Sequence, residues 1–444
     1  MGFQYKQLAF FAKQNVFRRR AIRTYRALLE NEKLGVEALR ELNWAKRRRL
    51  LIHAYQTAPF YRRRLQAAGI HPSEVLGEAD WERLPVLTRS DLVSSPNDIL
   101  SSDAARRRLV VATTGGSTGV PVKVYYDPDY PRETLAWRML SWWGLSPADD
   151  GAYCWRMLRT SPSARLLNAA MWWPTRHLRF DASSMSSEGI RAFLSLYNTV
   201  RPPLLQGYTG AIAHLAEFVE QTGLAVVAPK AIWVTSSPLA LGQRGLIERA
   251  FSGPVYDQYG SAEMPYIAAQ CRQKHHLHVF SDAVHLECVD EAGAACPIGE
   301  EGRVLVTDLE NYAFPLIRYE NGDRAALQPV GCGCGSPLPR MSAVLGRVTD
   351  NLLLPDGSVI TGAFVTTLFD DYTEVIASFQ VVQRKDQSII IRVVPHSNVV
   401  LAAAASEHAV ELLRRSSRGQ VVVGYEFVSA ICSDRGKTRF VIRE

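Results

Sequence analysis

A run of small and hydroxyl-bearing residues stands between two β-branched segments. Residues 111–127 read VATTGGSTGVPVKVYYD, with Thr113, Thr114, Gly115, Gly116, Ser117, Thr118 and Gly119 in succession. Glycines let a backbone close on an anion and turn its N–H groups inward. The threonine and serine hydroxyls add donors without bulk. Such a loop can wrap a polyphosphate. It is not the lysine-containing P-loop, because no Gly-Lys-Ser/Thr follows. A surface turn of small residues has the same composition, so the stretch draws its meaning from the rest of the chain.

Further clusters carry charge. Tyr259, Gly260, Ser261, Ala262 and Glu263 follow a predicted strand, and open α/β sheets bind ligands at strand ends. Glu263 can hold a divalent metal beside phosphates there. In RYENGD, residues 318–323, Asp323 can accept hydrogen bonds from a ribose diol. In GRVTD, residues 346–350, Arg347 suits a phosphate or ribose oxygen, and Gly346 with Asp350 permits a hinge. In RGKTR, residues 435–439, Lys437 sits on a glycine turn from which it can meet a developing negative charge. Taken singly, these are a cap, a Gly-Asp turn and a solvated lysine.

Cys271 and His278 form a C-x6-H pair, and Cys332 and Cys334 a C-x-C pair within GCGCG. Thiolates and imidazole are the ligands of tetrahedral structural zinc. His275 and His276 compete for the imidazole position. Free cysteines and surface histidines are the alternative. A zinc here would clamp its subdomain and take no part in chemistry.

The elements that position these groups follow from periodicity. Residues 1–70 are helical, with apolar residues at three- and four-residue spacing in Tyr25–Glu30, Gly35–Leu42 and Trp44–Tyr55. The segment LPVLTRSDL, residues 84–92, reads as an extended stretch followed by a capped short helix. Helices at Arg132–Gly144, Gly210–Thr222 and Arg244–Phe251 alternate with buried strands at Pro202–Tyr208, Ala231–Thr235 and Pro254–Tyr259. That alternation predicts an α/β domain with a largely parallel sheet. After Tyr266, short strands at Leu277–Phe280, Ala283–Val289, Gly302–Thr307 and Leu316–Tyr319 predict a β-rich subdomain. From Leu352 onward, strands surround one helix, Leu401–Arg415, in a small α+β unit. Trp142, Trp143 and most aromatics near Trp155 and Trp172 are expected in the core.

A chain of 444 residues implies two or three domains. With 47% hydrophobic and 21% charged residues it can bury a large core. No apolar run reaches membrane-span length, and the first residues match no secretory signal. Lys6 stands where a myristoylation site needs Ser or Thr. Seven cysteines without an export signal point to a reducing compartment, the cytoplasm. Residues 1–64 hold 16 Lys and Arg against 4 Asp and Glu, a net +12; the chain is +7, so the rest carries −5. This excess reads first as a solvated basic face, and second as a dock for an anionic membrane or acidic partner. Aromatics do not interleave the basic residues as on a nucleic-acid platform.

The motifs TTGGSTGVP, YGSAE, Y-x-x-GD, GRVTD and a late GK, in this order between Thr113 and Lys437, resemble the adenylate-forming (ANL) superfamily. The chain looks most like the phenylacetate–CoA ligase family, in particular its shorter members found with capsule and polysaccharide genes. APFYRRRL ahead of LPVLTRSDL suits it too. The resemblance implies a large N-terminal adenylation domain at residues 1–346, with helices at 1–100, α/β structure at 101–266 and the β-rich part at 267–346. A hinge at 347–350 and a small C-terminal domain at 351–444, carrying the catalytic lysine, would follow.

It also implies a reaction. A carboxylate attacks the α-phosphorus of ATP, pyrophosphate leaves, and the acyl adenylate passes its acyl group to an acceptor such as CoA. By motif, Thr113–Gly119 would hold the β,γ-phosphates and Glu263 would bind Mg²⁺. Tyr259, with Gly260 and Ser261, would lie near adenine, as would the loop Ser236, Ser237 and Pro238. Asp323 would bind the ribose with Arg347 beside it, Asp350 would be the hinge, and Lys437 would bridge carboxylate and phosphate. Trp155, Arg156, Gly207 and Tyr208 fall around the implied acyl pocket. Family members suggest a structural zinc and a homodimer. The chain departs after the hinge: LLLPDGSVITGAF stands where the family has a loop like RGVNVFP that helps build the thioester-forming site. An amine, an amino sugar or a carrier-protein thiol is therefore an alternative acceptor, and a non-catalytic nucleotide-binding scaffold is a third reading.

Overall fold

Five consecutive buried residues, Ala231–Thr235, run AIWVT through the centre of the main sheet. A strand apolar on both faces belongs in a parallel sheet covered on both sides, and the computed structural model has this arrangement. The structure describes residues 2–104, 109–114, 122–156, 170, 172–183, 185–239, 241–344, 351–360, 362–365, 368–372, 375–395, 399–429, 431 and 441–444.

The first layer is helical: α1 (Gly2–Phe17), α2 (Arg19–Asn31), α3 (Val36–Thr57) and α4 (Pro59–Ala67). Helix α3 runs through Asn43, which lies between two of the stretches with helical apolar spacing. Asn43 is buried, but its Nδ2 donates to the carbonyls of Ser281 at 2.6 Å and Val284 at 3.2 Å. A polar side chain with partners in the next layer does not end a helix. The basic clusters are not wholly solvated either. Arg47 is 1% exposed, lies between the rings of Trp44 and Trp81 and donates to Glu78 at 2.7 Å. The short helix α5 (Arg89–Ser94) then leads to the hairpin β1 (Val110–Thr114) and β2 (Val122–Tyr126).

The main sheet contains β3 (Gly151–Trp155), β4 (His177–Asp181), β5 (Leu204–Tyr208), β6 (Ala231–Thr235) and β7 (Val255–Tyr259), all parallel. Helix α6 (Glu133–Trp142) covers one face, and Trp143 beyond it stacks on Tyr256 with ring centroids 4.8 Å apart. Helices α7 (Ser187–Val200), α8 (Thr209–Thr222) and α9 (Leu241–Phe251) cover the other, where Leu205, Ile232 and Val234 meet Phe193, Ile212 and Leu215.

The sheet continues with antiparallel strands β8 (Ala268–Gln270) and β9 (Leu277–Val279). A separate three-stranded sheet holds β10 (Val284–Val289), β11 (Gly302–Asp308) and β12 (Tyr319–Ala325). Strands β13 (Leu327–Gln328) and β14 (Arg340–Met341) then complete the main sheet in the order β13-β14-β9-β8-β7-β6-β5-β3-β4. The expected division at residue 266 thus falls inside one sheet, since Tyr259 pairs directly with Ala268.

The strand expected at Leu316–Tyr319 begins only at Tyr319. Leu316 and Ile317 are apolar because they are buried, not because they pair in a ladder. The amides here find other partners: Ile317 donates to the Tyr61 hydroxyl at 3.1 Å and Arg318 to Thr307 Oγ1 at 2.9 Å. Asp323 therefore lies within a strand, next to Gly322 at φ 84 where the pairing with β11 is irregular.

The C-terminal unit has the hairpin β15 (Leu352–Leu353) with β16 (Val359–Ile360), then β17 (Ile376–Gln383) and β18 (Ile389–Pro395). Helix α10 (Val399–Ser416), β19 (Val423–Phe427) and β20 (Val441–Arg443) complete it, with strand order β19-β18-β17-β20. Buried Ala402, Ala405, Ala409 and Leu413 of α10 pack on Phe379, Val381 and Ile391. No helix among the described residues is long and apolar enough to cross a membrane.

Candidate active site

The loop after β7 folds back on itself. A Cβ on Gly260 would sit 2.1 Å from the carbonyl oxygen of Pro265, so only glycine fits. Ser261 N donates to the Met264 carbonyl at 2.9 Å, and Gln258 Nε2 to that of Pro265 at 2.9 Å. The fold brings Glu263 inward until it is 5% exposed. Its Oε1 accepts from Arg89 Nη1 at 3.1 Å and from the Tyr319 hydroxyl at 3.2 Å. Its second oxygen makes no hydrogen bond among the described residues, which leaves it open to a hard cation.

Arg89 has no functional role by sequence, and Tyr319, the tyrosine of the Y-x-x-GD motif, is given none either. Each depends on its element. Leu87 N donates to the Arg318 carbonyl at 3.0 Å and Glu320 N to that of Leu87 at 2.9 Å. The extended segment before α5 therefore lies beside the start of β12. Thr88 then caps α5 reciprocally with Asp91, which sets Arg89, the first helical residue, against Glu263. The capping pattern was legible; the direction of the guanidinium was not. A third such residue is Tyr126, at the end of β2, whose hydroxyl donates to the Ala262 carbonyl. It ties the β1–β2 hairpin to the Glu263 loop, and burial pushes its phenol up, so it stays protonated as a donor.

Asp323 is reached from the same strand end. The Tyr259 hydroxyl donates to Asp323 Oδ2 at 2.9 Å and accepts from Asn321 Nδ2 at 2.5 Å. Asp323 N donates to Asn321 Oδ1 at 3.2 Å. Tyr259 is 8% exposed, and burial with the adjacent carboxylate holds its phenol well above the ordinary value. Glu263 and Asp323 are thus linked to one β7 loop through tyrosines.

Thr113 and Thr114 end β1, paired with Lys123 and Val122. Gly115, Gly116, Ser117, Thr118 and Gly119, with Arg347, Asp350 and Lys437, lie outside the described residues. Ser236 stands at φ 76, an uncommon conformation for a residue other than glycine. Thr209 Oγ1 holds that loop through the carbonyls of Thr235 at 3.1 Å and Ser237 at 3.0 Å. Ser237 lines a polar cleft of about 280 Å³ with Asn351 and Arg443, and Pro238 follows it.

A larger cavity of about 470 Å³ lies between α6 and the sheet. Trp155 and Arg156 line it, with Trp137, Trp172 and Trp233, so several aromatics expected in the core face open space. Tyr208 packs edge-on against Trp155 at 4.5 Å. Gly207 faces the other way: a Cβ there would meet Cys154 and Ile212 at 2.8 and 3.1 Å. Strand alternation is the reason, because Gln206 lines the cavity and its neighbour must point to the opposite face. Burial, with Arg179 nearby, takes the lining His177 down to about 4, so its ring is neutral at pH 7. Tyr266, three residues after Glu263, also lines the cavity and joins it to the carboxylate loop.

Cys271, His278, Cys332 and Cys334 converge, with ligand atoms all within 4.8 Å of one another. Cys271 and Cys332 sulfurs are 3.7 Å apart, and Cys334 Sγ is 3.4 Å from His278 Nε2. Tetrahedral zinc with ordinary Zn–S bonds separates two thiolates by about 3.8 Å. His278 Nδ1 stands 3.3 Å from the Leu338 carbonyl, which would orient Nε2 toward a metal. His275 and His276 are not in the cluster.

Residues 352–444 match the family model for the CapK C-terminal domain. The chain is similar to phenylacetate–coenzyme A ligase of Thermus thermophilus, 26% identical over 81% of each chain. It is also similar to protein CapK of Staphylococcus aureus, 24% identical over 82% of this chain and 80% of that one. Among solved structures, 2-hydroxyisobutyryl-CoA ligase with 2-HIB-AMP and CoA superposes with a TM-score of 0.63. That match is 22% identical and covers 93% of this chain and 91% of that one, a likeness of fold.

Proposed function

For a chain with the adenylate-forming fold, related to phenylacetate–CoA ligases and to CapK, we propose an ATP-dependent, AMP-forming acid–CoA ligase. The observation that carries this reading is the meeting of Glu263, Arg89 and Asp323 at the end of β7, beside a cavity that can hold an acyl group. A carboxylate oxygen of the acid attacks the α-phosphorus of ATP, and the bond to the β-phosphate oxygen breaks, releasing pyrophosphate. The acceptor thiol then attacks the acyl carbon, AMP leaves, and the thiol proton passes to solvent.

The barrier in the first step is the approach of two anions, so positive charge and positioning dominate. In our assignment Thr113–Gly119 wraps the β,γ-phosphates, Asp323 holds the ribose hydroxyls with Arg347, and Asp350 is the hinge. Lys437 supplies the late positive charge, and Ser236–Pro238 with Tyr259 border the base. Glu263 would hold magnesium, which when bound would neutralise phosphate charge. Trp155 and Arg156 contact the acyl group. Cys271, His278, Cys332 and Cys334 would hold a structural zinc, joining the β8–β9 hairpin to the β13–β14 loop. Free thiols suit a cytoplasmic enzyme.

The test is pyrophosphate release over a panel of carboxylic acids, with and without CoA. Release that depends on one acid, falls by at least about a hundredfold in Lys437→Ala, and yields an acyl-CoA supports the reading. Release with no thioester, but with an amide when amines are added, assigns the alternative acceptor that LLLPDGSVITGAF leaves open. Release unaffected in Lys437→Ala overturns the catalytic assignment.

A further inference from the structure

The adenylation chemistry makes no use of the basic excess in residues 1–64, and the structure sorts that excess into inner and outer parts. Arg47 is internal, and Lys46 donates to the Asp282 carbonyl at 2.6 Å. Of those left outside, Arg40 pairs with Glu37 and Arg63 with Asp98, and a further exposed row lies on α2, beside α1.

Helix α1 carries apolar residues outward as well as inward. Phe10 and Gln14 are buried against the body, Phe10 edge-on to Trp137 at 5.8 Å. The opposite side shows Tyr5 at 62%, Leu8 at 72% and Val16 at 65% exposure, and Phe17 closes the helix at 79%. Residues 5, 8, 12 and 16 recur at helical spacing on one face. The lysines of this helix turn away from that face: Lys6 pairs with Asp150 at 2.8 Å, and Lys13 donates to the Trp173 carbonyl.

Helix α2 differs. Ala21, Ile22 and Leu28 are buried, while Arg19, Arg23 and Arg26 are exposed along one face. Arg23 and Arg26 form no ion pair among the described residues. Arg19 Nε donates to the Asn15 carbonyl at 3.2 Å, and Phe11 stacks on Tyr25 at 6.4 Å. These contacts hold the apolar stripe and the arginine row side by side.

We propose that α1 and α2 dock the protein on an anionic lipid bilayer. The α1 stripe enters the headgroup–acyl boundary, and the arginines meet lipid phosphates. A second copy of this chain would bring a second basic row to the interface, and residues 1–29 hold no Asp or Glu to answer it. An acidic protein would answer the arginines but not the outward apolar stripe. The docking helix also backs the large cavity, because Trp137, against which Phe10 packs, is one of its walls. The docking stands whether or not the chemistry proposed above is right.

The experiment is co-sedimentation of the full chain with phosphatidylcholine vesicles, with and without about one third phosphatidylglycerol. Binding is expected on the anionic vesicles alone, weakening as salt shortens the screening length. Arg23→Ala with Arg26→Ala is expected to cost roughly fivefold each, on the order of twenty-five-fold together. Leu8→Ser with Val16→Ser is expected to abolish binding while melting temperature and secondary structure stay unchanged, since both side chains are exposed. No binding to anionic vesicles at low salt overturns the proposal, as does equal binding to neutral ones or unchanged binding by both variants. A dimer that Leu8→Ser with Val16→Ser dissolves, without vesicle binding, would give the face to a second copy and overturn it too.

Discussion

Arg89 Nη1 stands 3.1 Å from Oε1 of Glu263, an ion pair between residues 174 positions apart whose carboxylate is almost wholly covered. The pair holds a negative charge ready at the end of β7 without letting water solvate it. Glu263→Gln removes the charge while keeping the hydrogen-bonding shape. Pyrophosphate release is expected to fall by about a hundredfold or more, with the Mg²⁺ concentration for half activity rising. Arg89→Gln is expected to cost about tenfold in activity and roughly 1–3 kcal/mol in stability, because a buried carboxylate loses a charged donor. Initial rates against Mg²⁺ and urea unfolding check both; an Arg89→Gln protein unchanged in each would refute the role of the pair.

In the proposed site the tyrosine beneath Asp323 acts as a positioning residue. Tyr259→Phe removes the donor to Asp323 Oδ2 and weakens the hold on the carboxylate. KM for ATP is expected to rise several-fold to about tenfold, with kcat changing less. Asp323→Asn is expected to raise KM further. A Tyr259→Phe enzyme with wild-type KM and lowered kcat would show that the tyrosine acts on the reacting atoms instead.

Metal analysis of the purified chain should find one equivalent of zinc. Cys332→Ser is expected to lose it and to unfold at lower temperature, with Cys334→Ser alike. Cys296→Ser, outside the cluster, serves as control and should keep the metal. Normal melting after prolonged chelation would rule out a structural zinc.

Asp257, in β7, is pushed up to about 7 by burial, which the nearby Arg244 only partly opposes. Its native form thus holds a proton that the unfolded chain releases near pH 4. Between those values folding binds a proton, so stability from this group is full below pH 4 and declines as pH rises toward 7. Asp257→Asn should flatten that part of the curve and raise melting temperature at pH 8 relative to wild type. Melting scans from pH 4.5 to 8 that keep the same slope in the variant would refute the assignment.

The sequence by itself determined the order of the chemistry-bearing motifs, the alternation of apolar strands and helices, and the family resemblance. These are local signals: a glycine that only a tight loop needs, a strand apolar on both faces, a reciprocal helix cap. It also put Cys271, Cys332 and Cys334 forward with one of His275, His276 and His278, because metal ligands have distinctive types and spacing; the fold brings His278 to them. Tertiary structure alone decided that Arg89, Tyr126 and Tyr319 surround the Glu263 loop, since each is an ordinary residue until a distant segment is laid beside it. The same holds for the side of β5 on which Gly207 falls, for the strand that begins at Tyr319 instead of ending there, and for Arg47 lying inside. A single sequence records what each residue can do; contact across long separations selects which of those capacities is used, because burial and partner geometry belong to the packed chain.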